Sequence, residues 1–555
     1  MSKSHTTSSG DQYDFVNERR KTVFEPDEKE FRVKFGREPG AEVNGWPSEG
    51  GIYSLSPCLG VELDFLGLDR FQDTERPNNG SAEQEAHCDR MRKLGAKWWQ
   101  SEEDYNWALF RADKADDSFI RVGWPAEGGI LTSDSDFLRK SAAVRGTYNK
   151  SPWYVAFRWQ PYIDNVFNIT DHVVHDKRKG KIATAYNISG REVDLIEPSI
   201  DEQVLAMVDS LRAKYLPKPE TPVPPLLDFS NMSSYLTMDV ITRAVFGQEF
   251  GHMKTDSDVT GFLTELRDAW PVVSLVNEWP TLRSIMYSRI FLGLFGPKVT
   301  DKKGMGKLMS GVVGLVKERF EKPELESSRK DMLGSWIQHG VTQDECEAEG
   351  LLALVAGSET TASVMRITFL CILSSPPVYQ KLKTVIKEAV KCGTMSNPIS
   401  FEEAKGIPYL RAVVYEGMRM RPGTTGAFPK VVPPQGETVQ GVFIPGGTIV
   451  AMNIPFLLRS AETFGPDAGQ FRPERWLEAT DQKRAEMERE VEMMFGSGRW
   501  MCAGKPIAFM ELYKTFFELL HHFDFQIANP SKPWITRCYN VFVEENMFVR
   551  LSTVE

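Results

Sequence analysis

The sequence predicts a mainly α-helical fold with small β-sheets, an α+β architecture organised about one long central helix. Three observations carry that expectation. Residues 342 to 375 open on Thr342 with Glu345 three positions on, a capping box, then run through an apolar stretch and stop at Pro376-Pro377. At about 1.5 Å per residue such a helix is roughly 50 Å long, enough to cross the molecule. Between about 190 and 340, helical stretches such as EPSIDEQVLAMVDSLRAKYL and GKLMSGVVGLVKERF are separated by Pro-rich connections such as LPKPETPVPPLLD. Strands read only as short pieces: SFIRVGW with GGILTSD, TVQGVFIPGGTIVAMN, and NVFVEENMFVRL.

The 555 residues are 41% hydrophobic and 26% charged, the balance of an ordinary soluble enzyme with a large core. No internal repeat or long linker divides the chain after about residue 110, so one catalytic domain over 111–555 is expected. A formal net charge of −10, without a basic stretch interleaved with aromatics, argues against nucleic acid as a partner. Seven scattered cysteines, an odd number, point to a reducing compartment, not a disulfide framework. The opening MSKSHTTSSGDQYDFVNERRK has no apolar core of the kind a signal or anchor needs. The uncharged run 438–458 is interrupted by Pro445, Gly446, Gly447 and Pro455 and reads as a hairpin, so no transmembrane helix is expected.

In chain order, residues 1–110 are rich in Glu, Asp, Arg, Gly and Pro, show little periodicity, and are expected to be poorly structured or loosely docked. From Ser118 two strands joined through Pro125-Ala126-Glu127 lead to a helix in SDFLRKSAAVRG. Residues 151–171 are crowded with aromatics and hold no clean period, which fits either a loop docked on the core or the flexible wall of an apolar pocket. The run DHVVHDKRKGKIATAY is basic on one side, as a solvated face or a set of donors would be. Inside the long helix, AGSETT (Ala356 to Thr361) sets a glycine and four polar residues between two apolar segments. Burying such groups without partners costs a few kcal/mol, so the cluster either faces water or does chemistry. A helix over 402–420 contains Glu416 and Arg419, a spacing that alone suggests a surface ion pair; Phe471-Arg-Pro-Glu-Arg-Trp476 adds Arg475 as a third member.

The most informative stretch is FGSGRWMCAG, residues 495–504. Gly496, Gly498 and Gly504 let the backbone turn tightly and approach a flat ligand closely. Lys505-Pro506 then starts the helix KPIAFMELYKTFFELL, with proline suited to its first turn. Cys502 therefore lies just before a helix N-terminus, where peptide dipoles and free N–H groups favour a thiolate, and a thiolate so held is a metal ligand.

Phe495, Gly498, Cys502 and Gly504 match the haem-binding loop of the cytochrome P450 family, and over roughly residues 118 to 550 the motifs resemble that family in order and spacing. The resemblance implies the cytochrome P450 fold, with the long helix over haem b and Cys502 as axial thiolate on the iron. The family's usual basic residue two before the cysteine is Trp500 here, with Arg499 beside it; the Trp500 indole N–H is the expected alternative donor to a propionate. The family's propionate donors on the preceding basic helix correspond to His175 and Lys179. Ala356 and Gly357 would make room for dioxygen, Thr360 would hydrogen-bond the bound oxygen, Glu359 would relay protons from solvent, and Thr361 would support them. Glu416, Arg419 and Arg475 take a structural role around the thiolate loop, Ala427 and Phe428 become candidate pocket walls, and the C-terminal hairpin tip reaches the pocket.

The same resemblance implies a monooxygenase that inserts one oxygen atom from O₂ into a small apolar organic substrate. Its electrons come from NADPH through an NADPH-dependent cytochrome P450 reductase. The style of FGSGRWMCAGKPIA is most similar to the filamentous-fungal branch that includes pisatin demethylase, which implies secondary metabolism. Relatives are commonly tethered to the endoplasmic reticulum; this sequence implies a cytoplasmic or peripherally associated protein. Two alternatives share the loop: a haem-thiolate isomerase or dehydratase, and a non-catalytic haem-binding protein. A nicotinamide dehydrogenase is excluded, since Met501 stands where the third glycine of its fingerprint belongs.

Overall fold

The long helix begins where its cap requires: Thr342 Oγ1 accepts from the backbone N–H of Glu345 (3.4 Å) while the Glu345 carboxylate accepts from that of Thr342 (3.1 Å). The computed structural model describes residues 119–124, 127–186, 193–322, 330–439 and 441–554, so the expectation for 1–110 and the turn residues Pro125 and Ala126 lie outside it. The helices that bear on the site are, in chain order, α1 (His172–Ile182), α2 (Phe229–Phe246), α3 (Phe262–Glu278), α4 (Arg289–Phe295), α5 (Gln343–Leu373), α6 (Pro408–Met420) and α7 (Lys505–His522). The long helix α5 is buried on nearly every side. It packs against α2, α6 and α7. A Cβ on Gly357 would stand 2.8 Å from Ile241 Cγ1, so glycine there lets α5 and α2 approach closely.

Sheets are small. Strands β1 (Phe119–Trp124), β2 (Glu127–Thr132), β3 (Asn149–Lys150), β5 (Lys430–Val431) and β8 (Ile449–Met452) form one sheet in the order β1-β2-β8-β5-β3. Only β2 and β8 run parallel in it, with Gly129 opposite Ile449. Strand β4 (Leu227–Asp228) joins β12 (Phe548–Thr553) and β9 (Phe523–Ile527) in a second sheet. Two hairpins complete the set, β6 (Glu437–Val439) with β7 (Val442–Ile444), and β10 (Ile535–Cys538) with β11 (Phe542–Glu545).

Three expected boundaries are corrected. The hairpin in TVQGVFIPGGTIVAMN turns at Gly441 (φ 80°), not at Pro-Gly-Gly, and the segment after Gly447 joins the five-stranded sheet as β8. The C-terminal hairpin is β10–β11, because Asn546 (φ 64°) sends the chain after β11 into another sheet. The helix over 402–420 is two, Phe401–Lys405 and α6, divided before Pro408, which lacks the N–H an unbroken helix needs.

Candidate active site

Cys502 donates its backbone N–H to Phe495 O at 2.7 Å, closing the loop back on itself. Gly496 (φ 72°) and Gly498 (φ 51°) take the left-handed conformation, and a Cβ on Gly498 would collide with Ala142 O. That carbonyl also accepts from Arg499 N at 2.8 Å, so the loop is seated on the end of the helix Ser135–Ser141. Cys502, an exposed residue, lines a cavity of 340 Å³, within the range of small-molecule sites. Burial pushes its thiol above the usual range, opposed by the N–H groups of Gly504 and Lys505 and by the charge of Lys179. A metal ion bound at this sulfur would favour the thiolate.

The same cavity is lined by Ala356, Gly357, Thr360 and Thr361 of α5. Thr360 Oγ1 donates to Ala356 O at 2.7 Å, the bond it makes within the helix. Glu359 is not among the residues that line the cavity, where the relay role expected of it would place it. Its carboxylate is fully buried on the opposite side, held by Arg366 Nη1 (3.0 Å), Arg267 Nε (3.1 Å) and Ser234 Oγ (2.9 Å). Burial alone would raise its pKa, but the charges of Arg267 and Arg366 with these hydrogen bonds hold it down, at about 2.

Positive and donor groups gather at one part of the wall. Trp500 lines the cavity with its indole N–H unpartnered, its ring 4.4 Å from that of His175. Over the same ring stand the ammonium groups of Lys150 (4.8 Å) and Lys430 (5.6 Å). Among the described residues neither lysine has a carboxylate hydrogen-bond partner: Lys150 donates to Val166 O (3.2 Å) and Phe167 O (2.7 Å), Lys430 to Tyr154 Oη (2.6 Å) and Phe428 O (2.8 Å). Burial and the charges of Lys430 and Lys179 push Lys150 well below its usual range, and burial lowers Lys430 to about 7. His175, also cavity-lining, is held neutral by burial and by Lys150, at about 3.

Lys179, an expected donor, and Arg499, the neighbour of Trp500, are used elsewhere. Lys179 lines the cavity but gives its ammonium protons to Arg499 O (2.7 Å) and Met501 O (2.8 Å), pinning the cysteine loop. Arg499 points away from the cavity, to Gly146 O (2.8 Å), Val144 O and Asp176 (3.0 Å). The basic side of α1 is likewise spent internally, with Arg178 on Glu345 and Glu349 and Lys181 on Gly340 O.

The aromatic stretch 151–171 is both core and wall. Tyr154, Phe157, Trp159 and Phe167 are well packed and also line the cavity, with Trp270 of α3 stacked edge-on to Trp159. Phe428 (φ 45°) lines it too; Ala427 does not, its carbonyl being bound to Met452 N of β8 (2.7 Å). Asn540 and Val541 bring in the tip of the β10–β11 hairpin.

The structure brings Glu416, Arg419 and Arg475 together out of solvent. Glu416 accepts from Arg419 Nε (2.9 Å) and Nη2 (2.8 Å), Arg475 Nε (3.0 Å), Arg472 N (2.8 Å) and Trp476 Nε1 (2.9 Å). Arg419 also binds the carbonyls of Leu458, Ala468 and Gln470, so the triad ties α6 to the segment that follows β8.

Sequence reasoning missed Lys150, Lys430 and Glu511 at the cavity and Arg366 behind Glu359. Arg366 was findable, since residues seven apart share a helix face. The lysines come from β3 and β5, which meet only in the folded sheet. Together, Cys502 lining an apolar cavity and an orphan indole N–H among buried lysines fit a flat macrocycle carrying a metal and acidic side chains.

Comparison with known proteins points the same way. The Cytochrome P450 family model matches residues 134–547. The chain is 45% identical over 436 residues to Cytochrome P450 monooxygenase aba1 of Botryotinia fuckeliana, covering 79% of this chain and 84% of that protein. It is 43% identical over 424 residues to Cytochrome P450 monooxygenase abl1 of Leptosphaeria maculans (76% and 73%). It is 29% identical over 432 residues to Cytochrome P450 monooxygenase gsfF of Penicillium aethiopicum (74% and 81%). These relatives are fungal and do not single out the pisatin demethylase branch. A cysteine loop seated before α7, a long helix on the same cavity, and a family match over most of the described chain converge: the chain belongs to the cytochrome P450 family and is an oxidoreductase of the monooxygenase kind.

Proposed function

We propose that the chain is a haem-thiolate monooxygenase that inserts one oxygen atom from O₂ into a small apolar organic substrate of secondary metabolism, with Cys502 as axial ligand. The observation that carries the reading is Cys502 lining the cavity that Ala356 and Thr360 also line. Haem, when bound, supplies the redox iron at which dioxygen is activated. Trp500, His175, Lys150 and Lys430 would hold its acidic side chains, and Lys179 holds the loop that carries the sulfur. Phe157, Trp159, Phe167 and Trp270 exclude water and select an apolar ligand. Thr360 offers a hydroxyl to oxygen in the cavity. An isomerase or a passive haem protein would not need that hydroxyl.

Electrons come from NADPH through a reductase. Among the described residues no single helix is long and apolar enough to cross a membrane. Peripheral association is favoured by α4, which has no buried residue and exposes Ile290, Leu294 and Phe295 ahead of the exposed Lys298, Lys302 and Lys303.

The test is spectroscopic. The haem-loaded protein gives the red-shifted Soret band of a ferrous–CO thiolate complex, Cys502→Ala loses it, and a panel of fungal metabolites is screened for spin-state shifts. A band that survives in C502A places the ligand elsewhere, and a substrate consumed without oxygen uptake makes the protein an isomerase.

A further inference from the structure

We propose that the pocket selects neutral apolar substrates carrying a carbonyl oxygen, and that the side-chain amide of Asn540 is the donor that reads it. This rests on the monooxygenase reading above and narrows its substrate. Asn540 stands at the tip of the β10–β11 hairpin and lines the cavity that Cys502 and Thr360 also line. The residue is 7% exposed, and its Nδ2 is buried without a hydrogen-bond partner among the described residues.

Backbone geometry accounts for this residue only in part. Asn540 has φ 66°, a left-handed conformation that asparagine tolerates better than most residues. Its carbonyl accepts from Thr424 Oγ1 at 2.7 Å and from Thr425 N at 2.9 Å. Glycine would serve both needs. What asparagine adds is an amide, and a buried N–H left unpaired destabilises the free protein, so its partner arrives with the ligand. The place matters for orientation. Gly423, next to Thr424, comes so near α5 that a Cβ on it would stand 2.6 Å from Thr360 O. An oxygen held by the Asn540 amide therefore fixes how the rest of the substrate lies against the segment that carries Thr360.

The other unpartnered atoms say which group is wanted. Four buried side-chain polar atoms of described cavity-lining residues lack a partner: Trp270 Nε1, Ser497 Oγ, Trp500 Nε1 and Asn540 Nδ2. Ser497 and Trp500 belong to the cysteine loop, which leaves Trp270 and Asn540 for a substrate. An indole N–H and an amide NH₂ donate and do not accept. Both are uncharged, and an anion buried against them would still need a cation. Lys150 and Lys430 stand over the Trp500 ring, where the acidic side chains of haem go. A carbonyl accepts without bringing a charge or a proton of its own to place.

Matched ligands test this in the full, haem-loaded chain. Tetralone differs from tetralin, and fluorenone from fluorene, by one CH₂ exchanged for C=O; fluorenecarboxylate supplies the anion. Spin-state titration gives each affinity, and calorimetry gives it without relying on the haem spectrum. The wild type binds each ketone about tenfold more tightly than its hydrocarbon, and fluorenone more tightly than the carboxylate. Asn540→Gly keeps the backbone conformation and the ferrous–CO band but removes the preference, whereas a packing defect would weaken both members of a pair alike. Trp270→Phe, which removes the other N–H, keeps the preference. Equal binding of ketone and hydrocarbon by the wild type, binding of neither, or tighter binding of the carboxylate overturns the substrate class. A preference that survives in N540G overturns the role of Asn540, and its loss in W270F would give that role to Trp270. A wild type without the ferrous–CO band overturns the haem-thiolate reading instead, and calorimetry still decides whether Asn540 selects the ketone.

Discussion

Glu359 and Arg366 stand two turns apart on α5 and meet at 3.0 Å, Oε2 to Nη1, with both side chains fully out of solvent. Arg366 Nη1 reaches on to Glu544 Oε2 of β11 at 2.8 Å, and Glu544 Oε1 binds Arg421 at the end of α6. Both outer members adjoin cavity wall, Arg421 beside Gly423 and Thr424 and Glu544 beyond Asn540 and Val541. One buried charge network thus joins the segment that carries Thr360 to two walls of the pocket.

Removing one charge of such a network leaves the others uncompensated. Glu359→Gln is expected to destabilise the protein by roughly 3 kcal/mol, seen as a lowered thermal midpoint. The sign with pH is set by the depressed folded pKa of about 2. The stability that ionised Glu359 contributes is fully present above its unfolded pKa of about 4.3 and is lost as pH falls through the folded value. The gap between wild type and E359Q should therefore be widest near neutral pH and close in acid. A gap that does not change with pH would mean that Glu359 is not ionised in the fold.

Gly498→Ala tests the seat of the cysteine loop. The residue has φ 51°, and its Cβ would meet Ala142 O, a backbone atom with no freedom to withdraw. Strain of about 1–3 kcal/mol is expected, and the loop moves to relieve it. The readout is the ferrous–CO spectrum: the thiolate band should give way to that of a protonated or displaced sulfur. An unaltered band would show that the loop tolerates a side chain there.

Legibility in the sequence tracks the range of each interaction. The α5 cap, the Gly-rich loop and the start of α7 are local, fixed by residues within one turn of each other, and their positions are set directly by Thr342, Gly496 and Pro506. Side-chain direction is not local. Glu359 and Thr360 are neighbours in sequence, yet on a helix they point about 100° apart, so one lines the cavity and the other joins Arg366. Strand exchange was illegible for a similar reason: Ile449–Met452 pairs with residues more than three hundred positions away, and no turn signal announces that partner. Lys430 and Glu511 each read as an ordinary charged residue until the fold buries them.

The exposed helix α4 yields a membrane prediction. Leu294 and Phe295 are each 72% exposed, and Lys298, Lys302 and Lys303 come within the next turns of chain. Apolar side chains entering a headgroup layer contribute about 1.5–3 kcal/mol each when fully buried. L294S/F295S should lower affinity for vesicles with anionic lipid by at least about tenfold while leaving the thermal midpoint unchanged, since neither residue packs on the core. Equal sedimentation of wild type and variant with such vesicles would remove α4 as the contact.

Lys430 is expected to make haem binding a proton-linked event. Its ammonium is buried against Tyr154 Oη and Phe428 O, and burial holds its pKa at about 7. In the apoprotein this penalises the charged form, so Lys430's contribution to stability improves as pH rises from about 7 toward the unfolded value of about 10.4. An acidic haem side chain beside the ammonium reverses the preference and raises the pKa, so binding takes up a proton at any pH between the two values. Haem affinity is accordingly strongest at and below about pH 7 and should weaken up to about tenfold per pH unit above it. Lys430→Met abolishes that dependence and lowers affinity on the acid side. Titrating haem into apoprotein at about pH 6, 7.5 and 9, for wild type and K430M, measures both slopes. Parallel slopes would show that Lys430 never meets the acidic group, and would move the linkage to Lys150, whose charge shares the Trp500 ring.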